Sequence, residues 1–422
     1  MIRLYNARLL TMDGGVAVTD GEVWTEGSTI AYVGPARADM PAFERQIDLR
    51  GDLLMPGLKN AHAHSAMTFL RNRADDLPLQ EWLFGRVIPL EGKLNPDYIR
   101  IFTRLAILEY LAGGTTACFD MYYHRQAFAE ACRELGFRAV ICCGIDAGEE
   151  SWPGLERDYE HFNRFDPLIS CQLGFHAEYT GSVPMLDYIA DAARRYHAPV
   201  FSHNSETRAE VAGCIERHSM TPTALFESRG VFEYGGGGFH CTYMTDEDID
   251  IFVRRGLWAV SNPAANLKLA SGIAPLTKMK QAGVNLALGT DGAAGNNALD
   301  LFREMFLAAA LQKVAEDDAS AFPAASVLEM AAVGSARAMG LNQCDAIAVG
   351  KQADLIVVDL HKPNMRPQSS IPAALVYSCS SANVRMTMIA GRILYEDGEY
   401  RIGIDPGQIC AEAEQAAKEI AG

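Results

Sequence analysis

The chain has 422 residues, 49% hydrophobic and 21% charged, with a formal net charge of -16 at pH 7. That is globular composition, long enough for one large barrel with an appended domain, and its acidic surface argues against nucleic-acid binding. No apolar run approaches the ~18 residues that span a membrane, and Met1–Asn6 lacks the apolar core of a signal peptide. The ten cysteines are scattered without a Cys-x-x-Cys pair, which suggests reduced, cytoplasmic thiols and no structural zinc knuckle.

In chain order, residues 1–55 alternate as strands at Ile2–Tyr5, Glu22–Glu26 and Thr29–Val33, with turns at Gly14-Gly15, Gly27-Ser28 and Gly34-Pro35. From residue 56 to 345, short apolar runs recur between helical stretches. The runs are Leu53–His62, Thr115–Met121, Phe137–Ile145, Leu168–His176, Ala198–His203, Gly237–Cys241, Leu257–Asn262 and Val284–Asp291. Helices are predicted at Asp97–Gly113, Gln126–Leu135, Val183–Tyr196 and Asp246–Arg255. Near-continuous apolar strands alternating with helices indicate a parallel sheet covered by helices. Eight such units fit a (β/α)₈ TIM barrel. Gly235–Gly238 does not match a phosphate loop and reads as a tight turn into a strand. Over 346–422 the β pattern returns at Ala353–Asp359, Val384–Ala390 and Arg392–Tyr395, and Ile409–Ile420 reads as a helix. The expected organisation is a composite β-sandwich domain from residues 1–55 and 346–422 beside a catalytic barrel at 56–345.

Polar residues end several of these runs. The first leads to His62 and His64, the fourth to His176, the fifth to His203, the sixth to His240 and the eighth to Asp291. Barrel chemistry resides at the C-terminal ends of the strands. An isolated His-x-His is equally well explained by a polar loop, and any one of these histidines by packing. Their recurrence at strand ends is not. His62, His64, His203 and Asp291 are assigned as ligands of one divalent metal, zinc or iron, with a position left for water. Zinc lowers the pKa of bound water from 15.7 to about 7, worth roughly 12 kcal/mol toward hydroxide. Glu206, three residues after His203, is placed as a proton shuttle; the simpler alternative is a helix-start carboxylate favoured by the dipole. No lysine lies between Lys93 and Lys268, so a lysine-bridged two-metal site lacks its bridge and the centre should be mononuclear. His124, His161, His197, His218 and His361 fall in helices or loops and read as surface or local hydrogen-bonding residues.

Pro56–His64, Ser65–Arg71, Asp75–Leu79, Glu109–Met121, His203–Glu206, Asn266–Pro275 and Gly289–Asn297 carry a resemblance. The chain resembles the amidohydrolase superfamily, in its S-adenosylhomocysteine/5′-methylthioadenosine deaminase branch. The resemblance implies hydrolytic deamination of an adenine nucleoside by metal-bound hydroxide attack at C6. By this analogy Asp291 accepts the water's proton, His240 steadies the hydroxide and Glu206 protonates the ring nitrogen. His176 and Glu91 would contact the nucleoside, Glu91 through ribose hydroxyls. Trp82 and Phe84 are candidate pocket walls, although a tryptophan is more often core. The expected partner is a small purine nucleoside, and a homo-oligomer is compatible with this reading.

Several positions depart from the family pattern. Where relatives carry arginines for an amino-acid carboxylate, the matching positions read Cys143 and Leu155, with Arg138 and Arg157 off register. Gly295 and Tyr243 replace an expected serine and histidine. The altered tail-binding set favours 5′-methylthioadenosine or adenosine over a zwitterionic tail. Displacement of chloride from a triazine-like ring is the competing enzyme class, and a metal-free scaffold is the non-enzyme alternative. Glu206 weighs against the former and the complete ligand set against the latter.

Overall fold

All eight runs form strands in the computed structural model, which describes residues 1–73, 75–77, 79–144 and 152–421. The strands are Leu58–Ala63, Thr115–Asp120, Arg138–Cys143, Ile169–Gly174, Val200–Asn204, Gly236–His240, Trp258–Ser261 and Asn285–Leu288. Each pairs in parallel with the next. They are buried along almost their whole length, which is why they read as apolar runs and not as alternating ones. Ile145, the expected end of the third run, lies outside the described residues. Phe119, Val140, Phe201, Phe239, Val260 and Ala287, from six of these strands, belong to one buried cluster that fills the barrel.

The seam between the eighth and first strands closes through a mixture of main and side chains. Thr290 and Asp291 N–H both donate to the His62 carbonyl, at 3.1 and 3.0 Å. Asn60 Nδ2 donates to Thr290 Oγ1 at 2.7 Å, and Asn60 Oδ1 accepts from Thr290 N–H at 2.9 Å. Gly289 permits this approach, since a Cβ there would sit 2.7 Å from His62 N.

The helices Val183–Tyr196 and Asp246–Arg255 have the expected bounds. Local chemistry sets them. Ser182 and Thr245 cap the N-termini through their side chains, and Gly256 ends the second helix in a left-handed conformation. The C-terminal helix spans Pro406–Ala421.

The remaining strands form one nine-stranded mixed sheet drawn from both ends of the chain. Its halves meet where Leu53–Pro56 pairs antiparallel with Leu355–Val358. The first apolar run is therefore not a single strand. Leu53–Pro56 belongs to the mixed sheet and Leu58–Ala63 to the barrel. The chain changes sheets at Gly57, whose N–H donates to the Asp354 carbonyl at 2.9 Å. A Cβ at Gly57 would lie 2.1 Å from Thr116 Cγ2, so only glycine fits the crossing.

Beneath the barrel, at the N-terminal strand ends, lies a buried ionic floor. Lys59 Nζ donates to the carbonyls of Gly57 and Cys344, at 2.7 and 2.6 Å. Arg138 Nε and Nη2 donate to Asp354 Oδ2 and Oδ1, at 2.6 and 3.0 Å, and Asp354 Oδ1 also accepts from Ala390 N–H at 2.8 Å. Arg138, off register as a tail clamp, thus joins the barrel to the mixed sheet.

The expectation of thiols throughout is corrected at one pair. Cys143 and Cys171 form a disulfide between the third and fourth strands, with Cα atoms 6.3 Å apart. Neighbouring strands bring them within reach, and sequence spacing carries no sign of it. Among the described residues no helix is long and apolar enough to cross a membrane.

Candidate active site

The C-terminal strand ends converge as the barrel geometry requires. His62, His64 and Asp291 form one buried triad of ligand atoms within 4.8 Å of one another, and His62, His203 and His240 form a second. His62 is common to both. Its ring centroid lies 4.8 Å from that of His64 and 4.9 Å from that of His203. Ser205, His240, Cys241 and Asp291 all hold positive φ angles, of 53°, 71°, 48° and 62°. Such left-handed non-glycine residues are sparse, and strain of this kind gathers at working sites.

Each imidazole except His62 is fixed from behind. His64 Nδ1–H donates to the Met121 carbonyl at 2.5 Å, His203 Nδ1–H to the His176 carbonyl at 2.7 Å, and His240 Nδ1–H to Asn266 Oδ1 at 2.6 Å. These bonds place the ring proton on Nδ1 and leave the Nε2 lone pairs for the centre. The His62 ring stacks on Phe239 at 3.9 Å; neither of its nitrogens has a hydrogen-bond partner among the described residues, Nε2 lying 3.5 Å from Asp291 Oδ1. Orphaned buried nitrogens cost about 1–3 kcal/mol each unless a ligand satisfies them. Burial lowers His62 to about 3, so the ring is neutral and ready to ligate. Burial also opposes charge on His64, but Asp291 lifts it to about 9. Burial would raise Asp291, yet the surrounding imidazoles hold it well below the usual carboxylate range. Neutral His62 and His203, a His64 whose proton a bound metal would displace, and one ionised carboxylate fit a divalent metal of the zinc type.

Glu206 stands beside this centre. Its Oε2 lies 4.0 Å from His240 Nε2, and its Oε1 accepts from Ser271 Oγ at 3.0 Å. Sequence reasoning assigned no role to Asn266 and Ser271. Both lie in the Asn266–Pro275 stretch that carried the resemblance, which was the one signal available. The short helix Pro263–Lys268 presents Asn266, and Ser271 N–H bonds back to the Asn266 carbonyl at 2.8 Å. One loop thereby addresses both His240 and Glu206.

Residues 53–394 match the profile of the amidohydrolase family. The chain belongs to that family. It is 41% identical over 419 residues to a 5-methylthioadenosine/S-adenosylhomocysteine deaminase of Syntrophobacter fumaroxidans, covering 93% of this chain and 92% of the relative. It is 38% identical to a 5′-deoxyadenosine deaminase of Methanothermobacter thermautotrophicus, covering 97% and 95%. The crystal structure of an adenosine deaminase from Xanthomonas campestris with bound zinc superposes with a TM-score of 0.94 at 34% identity, covering 100% of this chain and 98% of that one.

In this amidohydrolase a cavity of about 830 Å³ opens beside Glu91. Glu91 Oε1 accepts from Tyr122 Oη at 2.6 Å, and the Tyr122 ring lies 6.0 Å from that of His64. Burial raises the Glu91 carboxyl and the Tyr122 hydrogen bond opposes that. His124 and His161 are exposed, as expected, and both line the cavity with Arg125 and Arg157. His124 precedes the helix Arg125–Leu135 and His161 lies in the helix Trp152–Phe162, so sequence spacing could not group them. Trp82 is buried and Phe84 is exposed, and neither is among the lining residues; Ile88 is. The His176 ring lies 4.8 Å from that of His203, with Nδ1 bonded to Thr180 Oγ1 at 2.9 Å. Cys143 is bonded to Cys171 and Leu155 is buried. The Tyr243 ring receives the Arg208 guanidinium at 4.7 Å. A Cβ at Gly295 would approach Asp291 Oδ2 to 3.1 Å, so the expected serine would crowd that carboxylate.

Proposed function

We propose that this enzyme hydrolytically deaminates an adenine nucleoside of the 5′-methylthioadenosine, adenosine or S-adenosylhomocysteine type, releasing ammonia and the inosine analogue. The observation that carries the proposal is the orphaned His62 among His64, His203 and Asp291, with Glu206 poised at the edge. These four residues would hold one zinc ion. Bound zinc supplies Lewis acidity and lowers the pKa of a water from 15.7 to about 7.

The chain's own groups supply the rest. Asp291, kept ionised by its imidazole neighbours, takes a proton from the attacking water. His240 has its Nδ1–H committed to Asn266, so its Nε2 is free to accept a hydrogen bond and orient that water. Glu206 delivers its proton to the ring nitrogen beside C6, a role worth about 10²–10⁴-fold; Asp291 then passes the water's proton to the departing amine, and Glu206 recovers the C6 hydroxyl proton as the carbonyl forms. Ser271 keeps the Glu206 carboxylate turned toward the substrate. His176 contacts the nucleoside, Glu91 accepts from the ribose hydroxyls, and the adjoining cavity receives the 5′ substituent. Its arginines are offset by Asp158, which pairs with Arg125 at 2.9 Å and Arg157 at 3.7 Å. With no anion contact from Cys143 or Leu155, small 5′ groups are the favoured substrates. A cytoplasmic location belongs to the same proposal: eight cysteines remain thiols, against the one Cys143–Cys171 bond.

The test is a screen of adenosine, 5′-methylthioadenosine, 5′-deoxyadenosine and S-adenosylhomocysteine for ammonia release and the adenine-to-hypoxanthine absorbance change. Turnover of at least one, by protein carrying about one equivalent of zinc, is the expected result. No turnover across all four would overturn the proposal.

A further inference from the structure

After the fifth barrel strand the chain turns through Ser205, at a left-handed φ of 53°, and enters the helix Arg208–His218 with Thr207 as its cap. Thr207 Oγ1 accepts from Glu210 N–H at 3.1 Å, and Glu210 Oε2 accepts from Thr207 N–H at 3.4 Å. That reciprocal pair is a capping box, and a capping box requires nothing further. Glu210 does more. Its Oε2 accepts from Glu206 N–H at 2.7 Å and its Oε1 from Ser205 N–H at 3.0 Å. The two shorter bonds therefore go to residues before the cap, and one of them holds the main chain of Glu206 itself.

This arrangement is expensive for a cap. Glu210 is only 7% exposed. Burial, and then the charge of Glu206, raise it to about 7. The other titratable groups facing it are Tyr179, Cys214 and Cys241, all pushed upward by their surroundings. A second carboxylate buried beside a working one opposes its own ionisation. An exposed cap would serve the helix without that cost.

We propose that Glu210 is a positioning residue for proton transfer: its carboxylate gathers the N–H groups of Ser205, Glu206 and Thr207 and so aims the Glu206 side chain between Ser271 and His240. The inference rests on the reading of Glu206 as the proton carrier. Ser271 fixes the far end of Glu206 and Glu210 fixes the near end. The metal ligands and the nucleoside cavity do not depend on this clamp, so its loss should appear in kcat and not in KM.

The test is a double-mutant cycle on the zinc-loaded enzyme with 5′-methylthioadenosine and adenosine as probes. Glu210→Gln keeps the shape but loses the charge and one strong acceptor. Its kcat should fall about 10–100-fold, with KM within about twofold and zinc content unchanged. In a Glu206→Gln background, Glu210→Gln should cause no further loss, because the two act as one unit. Thr245→Ala, which breaks the capping box of the helix Asp246–Arg255, should lower the melting temperature and leave kcat within about twofold.

Wild-type kcat in Glu210→Gln, a further loss in the Glu206→Gln background, or loss of zinc would overturn the inference alone. Full turnover by Glu206→Gln would overturn both the inference and the functional reading. Amide hydrogen exchange tests the clamp without turnover. In Glu210→Gln, exchange at Ser205, Glu206 and Thr207 should quicken at least about tenfold relative to the rest of the helix. Unchanged exchange there would overturn the inference even if no nucleoside were a substrate.

Discussion

The two ends of the barrel are both buried and both polar, yet they are finished in opposite ways. At the floor, Lys59, Arg138 and Asp354 satisfy one another and nearby carbonyls with bonds of 2.6–3.0 Å. At the top, His62 keeps two orphaned nitrogens, and several residues sit in left-handed backbone conformations. A polar cluster closed upon itself serves structure. A polar cluster left open serves a ligand. The contrast teaches more than a list of residue types, because histidine, lysine and aspartate could each belong to either end.

The largest expected effect breaks the open end. His203→Asn should reduce bound zinc below about a tenth of an equivalent and turnover by more than about 10³-fold. Zinc should also stop raising its melting temperature, whereas metal-free wild type should gain about 4 kcal/mol at a zinc concentration 1,000 times Kd. Metal analysis and calorimetry read both. Next is Glu206→Gln, which should keep its zinc and lose about 10²–10⁴-fold in kcat; steady-state kinetics with metal analysis check it.

Arg138→Met probes the closed end. It strands Asp354 as a buried lone carboxylate and should destabilise by about 3–5 kcal/mol, with turnover per folded molecule preserved. The pH dependence has a definite sign. Asp354 titrates below its ordinary 3.8 when paired with Arg138. The pair's stabilisation is fully present above that value and is lost as pH falls through the lowered one. Wild type should therefore lose stability below pH ~3.8, while Arg138→Met should lose that acid-side decline. Melting curves from pH 3 to 7 separate the two. The smallest effect sharpens the top: Ser271→Ala removes one hydrogen bond to Glu206, about 0.5–1.5 kcal/mol, and should lower kcat a few-fold with KM unchanged.

Much of this was legible in the sequence because buried parallel strands leave a continuous apolar trace. His62, His64, His203, His240 and Asp291 interrupt such traces at their C-terminal ends, where packing has no use for them. The helices Val183–Tyr196 and Asp246–Arg255 were equally legible, since their caps are local chemistry. What was hidden depends on register between distant segments. The sheet change at Gly57 follows from contact with Thr116. The supporting roles of Asn266 and Ser271 follow from the path of one loop. The Cys143–Cys171 bond and the cavity positions of His124 and His161 arise only when neighbouring strands and helices are assembled. The bonds of Glu210 to Ser205 and Glu206 depend on the left-handed turn at Ser205.

The pairing of Leu53–Pro56 with Leu355–Val358 carries a consequence for synthesis. A growing chain completes the first of these strands long before the second leaves the ribosome, an interval of roughly 15–60 s at 5–20 residues per second. During it, one edge of Leu53–Pro56 lacks the partner that the finished protein supplies, and its buried side chains have no final cover. The whole barrel is made within that interval, as an insertion between two strands that end as neighbours. Its entry and exit are then latched by the Gly57 N–H on the Asp354 carbonyl. The last strands to be synthesised close the first, so a chain truncated before residue 355 would leave the Leu53–Pro56 edge exposed and aggregation-prone.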